Sequence, residues 1–96
     1  MLKGKIVLND QECEGTYDFH KTEKYMTKGF QSTFGDEANE IYANAINMIM
    51  EKYPTNADRF QTLVYTLDGM KTKFWLIIDD YGNGVHVLTA LLPEEY

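Results

Sequence analysis

Cys13, Asp18 and His20 bring a thiol, a carboxylate and an imidazole into one short stretch, the parts of a nucleophilic site. No local signature surrounds them, and geometry defines such sites. The expectation is an ordinary small Cys13 in or beside a loop. Asp79-Asp80, followed by Gly82 and Gly84, offers oxygen ligands for a hard cation. A calcium loop needs a fixed series of ligands closed by a distal Glu. The next acid here is Glu94, so a solvated turn is expected. With His86, the same loop is where a small-ligand or catalytic pocket would have to form.

His20 and His86 are far apart, with no H-E-x-x-H or C-x-x-C around them, and a zinc site needs more ligands than these and Cys13 supply. Gly82-x-Gly84 is not followed by a helix, so it is no dinucleotide loop. No catalytic, cofactor-binding or metal-ligating set is therefore expected, and no enzyme activity.

The elements that would position these residues form an α+β fold of one domain, residues 1–96. Phe60 to Leu67 and Met70 to Ile78 flank Asp68-Gly69, the strongest short hairpin signal, because a type I′ turn needs positive φ at both central positions. A two-residue loop sets Leu67 opposite Met70, Tyr65 opposite Thr72 and Leu63 opposite Phe74. Val85 to Leu92 reads as a third strand of an antiparallel meander, Phe60–Leu92. Pairing Ile78 with Val85 would put Val85, Val87, Thr89 and Leu91 on the helix-covered face, and His86, Leu88, Ala90 and Leu92 beside Trp75. Lys5 to Asn9 and Tyr25 to Thr27, the latter stopped by Gly29, read as further short strands. Thr16 to His20 is either a strand or an ordered loop.

The main helix is expected at about 36–53, with Ala38, Ile41, Tyr42, Ala45, Met48, Ile49 and Tyr53 recurring on one face. Ser32, Thr33 or Asp36 would cap it, and Pro54 ends it.

One sheet face, with Leu63, Tyr65, Leu67, Met70, Phe74, Leu76 and Ile78, is assigned to the helix. The other is not the polar surface expected of a one-sided sheet. Phe60, Val64, Lys73, Trp75, Ile77, Leu88 and Leu92 form the candidate interaction surface there, an apolar patch with a basic neighbour. Either the N-terminal 25 residues cover it, through Ile6, Leu8, Tyr17, Phe19 and Tyr25, or a protein partner or second copy does. Asp79, Asp80, Glu94 and Glu95 form a candidate acidic patch.

The chain carries 15 acids against 9 bases, a net charge of −6. Residues 79–96 alone hold four acids and no Lys or Arg. Nucleic-acid binding needs a basic face, and none is visible. Attraction to anionic lipid is disfavoured for the same reason, and no apolar run approaches the roughly 20 residues of a membrane helix. One cysteine and a start from Met1 to Lys5 leading into only three apolar residues, Ile6 to Leu8, fit no signal peptide and a reducing cytoplasm.

Tyr25-Met26-Thr27-Lys28-Gly29, the amphipathic helix, Ile78-Asp79-Asp80 and Leu88-Thr89-Ala90-Leu91-Leu92-Pro93-Glu94-Glu95-Tyr96 together resemble the small bacterial family called domain of unknown function 960. Its members show a similar Tyr-x-Thr-Lys/Arg-Gly start, an Ile-Asp-Asp step and a Leu-Leu-x-Glu-Glu-Tyr end. The likeness covers residues 24–96. It implies a small protein of low-GC Gram-positive bacteria, often on mobile elements, with no assigned activity. The expected function is a non-enzymatic interaction module, an accessory or inhibitory protein of such an element. The alternatives are an acidic nucleic-acid mimic that blocks a DNA-binding protein, and a small-ligand binder or enzyme using Asp79, Asp80 and His86.

Overall fold

In the computed structural model, which describes residues 2–96, five strands form one mixed sheet in the order β1-β3-β4-β5-β2. Met1, where the leader reading begins, lies outside the described residues. The strands are β1 (Lys5–Leu8), β2 (Glu23–Met26), β3 (Phe60–Leu67), β4 (Met70–Asp80) and β5 (His86–Leu91). Between β2 and β3 run α1 (Lys28–Phe34), a 3-10 turn (Gly35–Glu37) and α2 (Ala38–Lys52). A second 3-10 turn, Pro93–Glu95, follows β5. No helix among the described residues is long and apolar enough to cross a membrane.

The β3–β4 hairpin follows the Asp-Gly chemistry. Asp68 (φ 52°) and Gly69 (φ 80°) both take positive φ, and the ladder pairs Leu67 with Met70, Tyr65 with Thr72 and Leu63 with Phe74. Leu63, Tyr65, Phe74, Leu76 and Ile78 are buried beneath α2, whose Ala38, Ile41, Tyr42, Ala45, Ile46 and Ile49 meet them. Met70, also assigned to that face, is 76% exposed at the hairpin tip.

Four expectations are corrected. The sheet is mixed: β2 pairs parallel to β5, with Tyr25 opposite Thr89. The two strands run in the same direction although helices and a hairpin lie between them in sequence, and no local pattern encodes that. Second, Gly29 does not stop a strand. It lies in α1, for which Thr27 is the cap: its hydroxyl accepts the Phe30 N–H at 3.2 Å. The helical region thus begins at Lys28, well before residue 36, and Ser32, Thr33 and Asp36 cap nothing: the first two lie within α1 and Asp36 within the 3-10 turn. Phe30 and Phe34 continue the apolar stripe upstream, and Phe30 packs edge-on against Phe34, Tyr42 and Phe74.

Third, β4 continues to Asp80, so Ile78 pairs with Leu88 and Asp80 with His86. This register differs by three residues from the expected one. An odd slip sends every β5 side chain to the other face. Leu88, Ala90 and Leu92 go into the core, and Val87, Thr89 and Leu91 stand beside Trp75 and Ile77. The observed register sets the more apolar triplet against Leu76 and Ile78.

Fourth, of the N-terminal residues offered as one possible cover for the second sheet face, Ile6, Leu8, Tyr17 and Phe19 pack on the core instead, while residues 9–13 border that face beside Trp75. β1 and β2 occupy opposite edges, so residues 9–22 must cross four interstrand gaps of about 4.8 Å each, about 19 Å, which 14 residues span with slack. The strap uses that slack to close the end of the core. Gly15 N–H donates to the Asn56 carbonyl at 3.2 Å and Tyr17 N–H to the Ala57 carbonyl at 3.1 Å. Phe19 is fully buried with its N–H on Met50 Sδ at 3.4 Å. Thr16–His20 is therefore an ordered loop.

Candidate functional site

The second sheet face is built from alternate residues of every strand. Lys5 and Val7 of β1 stand opposite Thr66 and Val64 of β3. Lys71, Lys73, Trp75, Ile77 and Asp79 come from β4, and Val87, Thr89 and Leu91 from β5. Glu23 and Tyr25 complete it from β2. Trp75 sits at the middle, paired with Thr62 on one side and Leu91 on the other. Phe60 lies 4.9 Å from it, ring centroid to ring centroid, and Tyr96 5.6 Å away on the other flank. Ile77 and Leu91 are buried between these large neighbours yet stand outside the main core. Val7, Tyr25 and Tyr96 are exposed at 45%, 58% and 81%.

The structure therefore brings Phe60, Val64, Lys73, Trp75 and Ile77 together, as expected from the hairpin alternation. Leu88 and Leu92 belong instead to the core, displaced by the register of β5. Leu91, Thr89 and Tyr96 take their place.

A cleft of about 540 Å³ opens beside Trp75, walled by Phe60, Thr62 and Lys73 and by the strap residues Asp10, Glu12 and Cys13. Asp58 completes its acidic side. Asp10 is ion-paired to Lys52, which holds its carboxyl below the usual range. Cys13 is exposed in this cleft, whereas His20 lines a separate groove of about 500 Å³ between β2 and α2. Asp18 accepts the His20 N–H at 2.9 Å in a local turn. The thiol and the imidazole thus belong to different clefts.

The expected acidic patch is split. Asp79 ion-pairs with Arg59 at 3.0 Å, while Asp80, on the other face, accepts Gly82 N–H at 2.8 Å and lies 3.5 Å from His86 Nε2. The Tyr17 and His86 rings meet at a tilt of 52° with centroids 5.5 Å apart. Residues 81–85 are exposed throughout, so the loop is convex. Glu94 and Glu95 lie beyond the far end of β5. Among the described residues, no group of three or more His, Cys, Asp or Glu could hold a metal ion.

Glu95 has a structural task. Its carboxylate accepts Thr27 Oγ1–H at 2.5 Å, Leu92 N–H at 2.9 Å and Gly29 N–H at 3.2 Å. These bonds, the Thr27 hydroxyl first, hold its pKa below the usual carboxylate range. The segment Tyr25–Gly29 and the tail Leu88–Tyr96 are thereby in contact, because β2 lies against β5 and Glu95 closes over the start of α1. Gly29 is required by that closure: a Cβ there would stand 2.5 Å from Glu95 Oε2.

Sequence reasoning also missed Gln61, fully buried on the helix-covered face of β3. Its Nε2 donates to Gln11 Oε1 at 2.8 Å and to the Asp58 carbonyl at 3.1 Å, and Gln11 Oε1 also accepts Asp58 N–H. A polar residue at an apolar alternation position was the available signal. These bonds pin the strap beside the Trp75 cleft. No family model, curated protein or solved structure matches the chain.

Proposed function

We propose that this chain is a protein-interaction module without catalytic chemistry of its own, and that it works through the second sheet face. One observation carries the reading. Both faces of the sheet are apolar at their centres, yet α1, α2 and Phe19 of the strap pack on one, while strap residues 10–13 only border the other, where Phe60, Trp75 and Tyr96 form a continuous aromatic row. Aromatic residues clustered mid-patch with a polar border are the usual anatomy of a binding hot spot. A role as accessory or inhibitor in a bacterial mobile element rests on the motif resemblance alone. Nucleic-acid mimicry is less well supported, since mimicry needs dense ordered charge and the acidic pairs lie at opposite ends of β5. The small-ligand reading is also less well supported, since residues 81–85 of its loop are exposed throughout.

The test is photocrosslinking in cells, with p-benzoylphenylalanine at position 75 and, as control, at position 83 in the exposed loop. A discrete adduct at 75 and none at 83 supports the reading. Equal adducts at both positions, or none at 75 in a well-expressed folded protein, would overturn it.

A further inference from the structure

Resting on the reading that the open face is an interface, we propose that its occupant is a second copy of this chain. The two copies dock face to face about a two-fold axis that lies in the interface and runs across the strands at the level of Trp75.

The argument is the distribution of charge on the face. At the hairpin end, Lys5 and Lys71 stand on either side of Thr66, and Lys73 stands one level further in, opposite Val64. At the opposite end, Glu12 and Asp58 border the Trp75 cleft, and Glu23 sits opposite Val87. Asp79 and Asp10 are already neutralised there by Arg59 and Lys52. Three lysines against three carboxylates sum to zero, on a chain whose net charge is −6. The face can therefore meet itself without net repulsion, which most of this acidic surface cannot do.

The order of the charges then selects the orientation. An isologous contact places the same patch on both copies. An axis along the strands would stack lysines on lysines and carboxylates on carboxylates. An axis across them puts the lysine end of each copy over the acidic end of the other, and brings the two Trp75 side chains together at the centre. The Trp75 cleft of each copy then receives lysine side chains from the partner copy's hairpin end. Strands cross the interface nearly aligned, as in sandwiches.

Five strands about 4.8 Å apart and averaging about 20 Å in length give a footprint of roughly 500 Å² per copy, about 1,000 Å² in total, the lower end for specific interfaces. The expected dimer is accordingly weak and concentration-dependent, and it loosens with salt because its end contacts are exposed ion pairs.

The experiment is sedimentation velocity from about 1 μM to about 1 mM on the wild type, on Lys71→Glu/Lys73→Glu and on Glu12→Lys/Asp58→Lys, with circular dichroism to confirm the fold of each. All four are solvent-accessible or partly so, and none sits in the core. The wild type is expected to dimerise, and each charge variant alone to lose at least tenfold in affinity. An equimolar mixture of the two variants is expected to recover a heterodimer, since each reversed end then meets its opposite. A dimer that ignores both variants refutes the docking but leaves the face as an interface. A wild type that stays monomeric at 1 mM, while the position-75 crosslinker captures another protein, refutes the second copy and keeps the interaction reading. A monomer with no adduct at 75 removes both.

Discussion

Replacing Gly29 by Ala should destabilise the wild type and stabilise a chain that already carries Glu95→Ala. In the wild type the new methyl group would stand 2.5–2.8 Å from all three atoms of the Glu95 carboxylate. That carboxylate is at the end of an exposed side chain, so it swings away rather than forcing the backbone, and its three hydrogen bonds are what is lost. Hydrogen bonds to a charged group contribute about 1.5–3 kcal/mol when shielded, and exposure reduces three of them here to about 1–2 kcal/mol in total. Against this, Ala exceeds Gly in a helix by about 0.5–1 kcal/mol, less near the first turn, so about 0.5 kcal/mol is regained. The net loss for Gly29→Ala is therefore about 0.5–1.5 kcal/mol. In the Glu95→Ala background only the helix gain remains, about 0.5 kcal/mol in the opposite sense. Urea denaturation followed by far-ultraviolet circular dichroism on all four members of the cycle gives the coupling, expected at about 1–2 kcal/mol. If Gly29→Ala has the same sign in both backgrounds, or the cycle is additive within about 0.4 kcal/mol, Glu95 does not hold the tail onto α1 and the reasoning fails.

Acid should loosen the same tie. Glu95 is held below its ordinary value by Thr27 and the Leu92 N–H, and Glu37 by the Lys3 N–H and the Tyr65 hydroxyl. A carboxylate with a depressed folded pKa contributes stability that is complete above its unfolded value of 4.5 and is lost as pH falls through the folded one. Urea midpoints should thus hold level above about pH 5 and drop below about pH 4.5, and the drop should be smaller in Glu95→Gln. Gly4→Ala would press a Cβ to 2.6 Å from the Tyr65 ring and closer still to the Thr66 carbonyl. A loss of about 1–3 kcal/mol, with faster hydrogen exchange confined to β1, is expected. Tyr42→Phe removes the buried hydroxyl that donates to the Leu88 carbonyl at 2.8 Å, and should lower stability by about 1 kcal/mol in thermal unfolding. The phenol itself is pushed well above its ordinary range by burial, so this loss should not vary with pH between 6 and 9.

The Asp68-Gly69 hairpin and the apolar stripe of α2 were readable because both are local: two positive-φ residues fix a register, and a 3.6-residue period fixes a face. From the hairpin alone follow Leu63, Phe74 and Leu76 in the core and Phe60, Val64, Trp75 and Ile77 on the second face. The start of the helical region was equally local in Phe30 and Phe34, but Gly35 interrupts the period and Thr27-Lys28-Gly29 imitates a strand end. What only tertiary structure decided were the contacts between distant segments. The parallel pairing of β2 with β5, the strap that turns Phe19 into the core, and the closing of Glu95 over Gly29 depend on packing between residues up to 68 apart in sequence. The slip of β5 was decided the same way. After a five-residue loop nothing local fixes register, and the choice falls to whichever triplet, Leu88-Ala90-Leu92 or Val87-Thr89-Leu91, loses more by facing water. That choice moved Leu88 and Leu92 out of the candidate surface. It left Trp75, with Phe60 and Tyr96 beside it, at the centre.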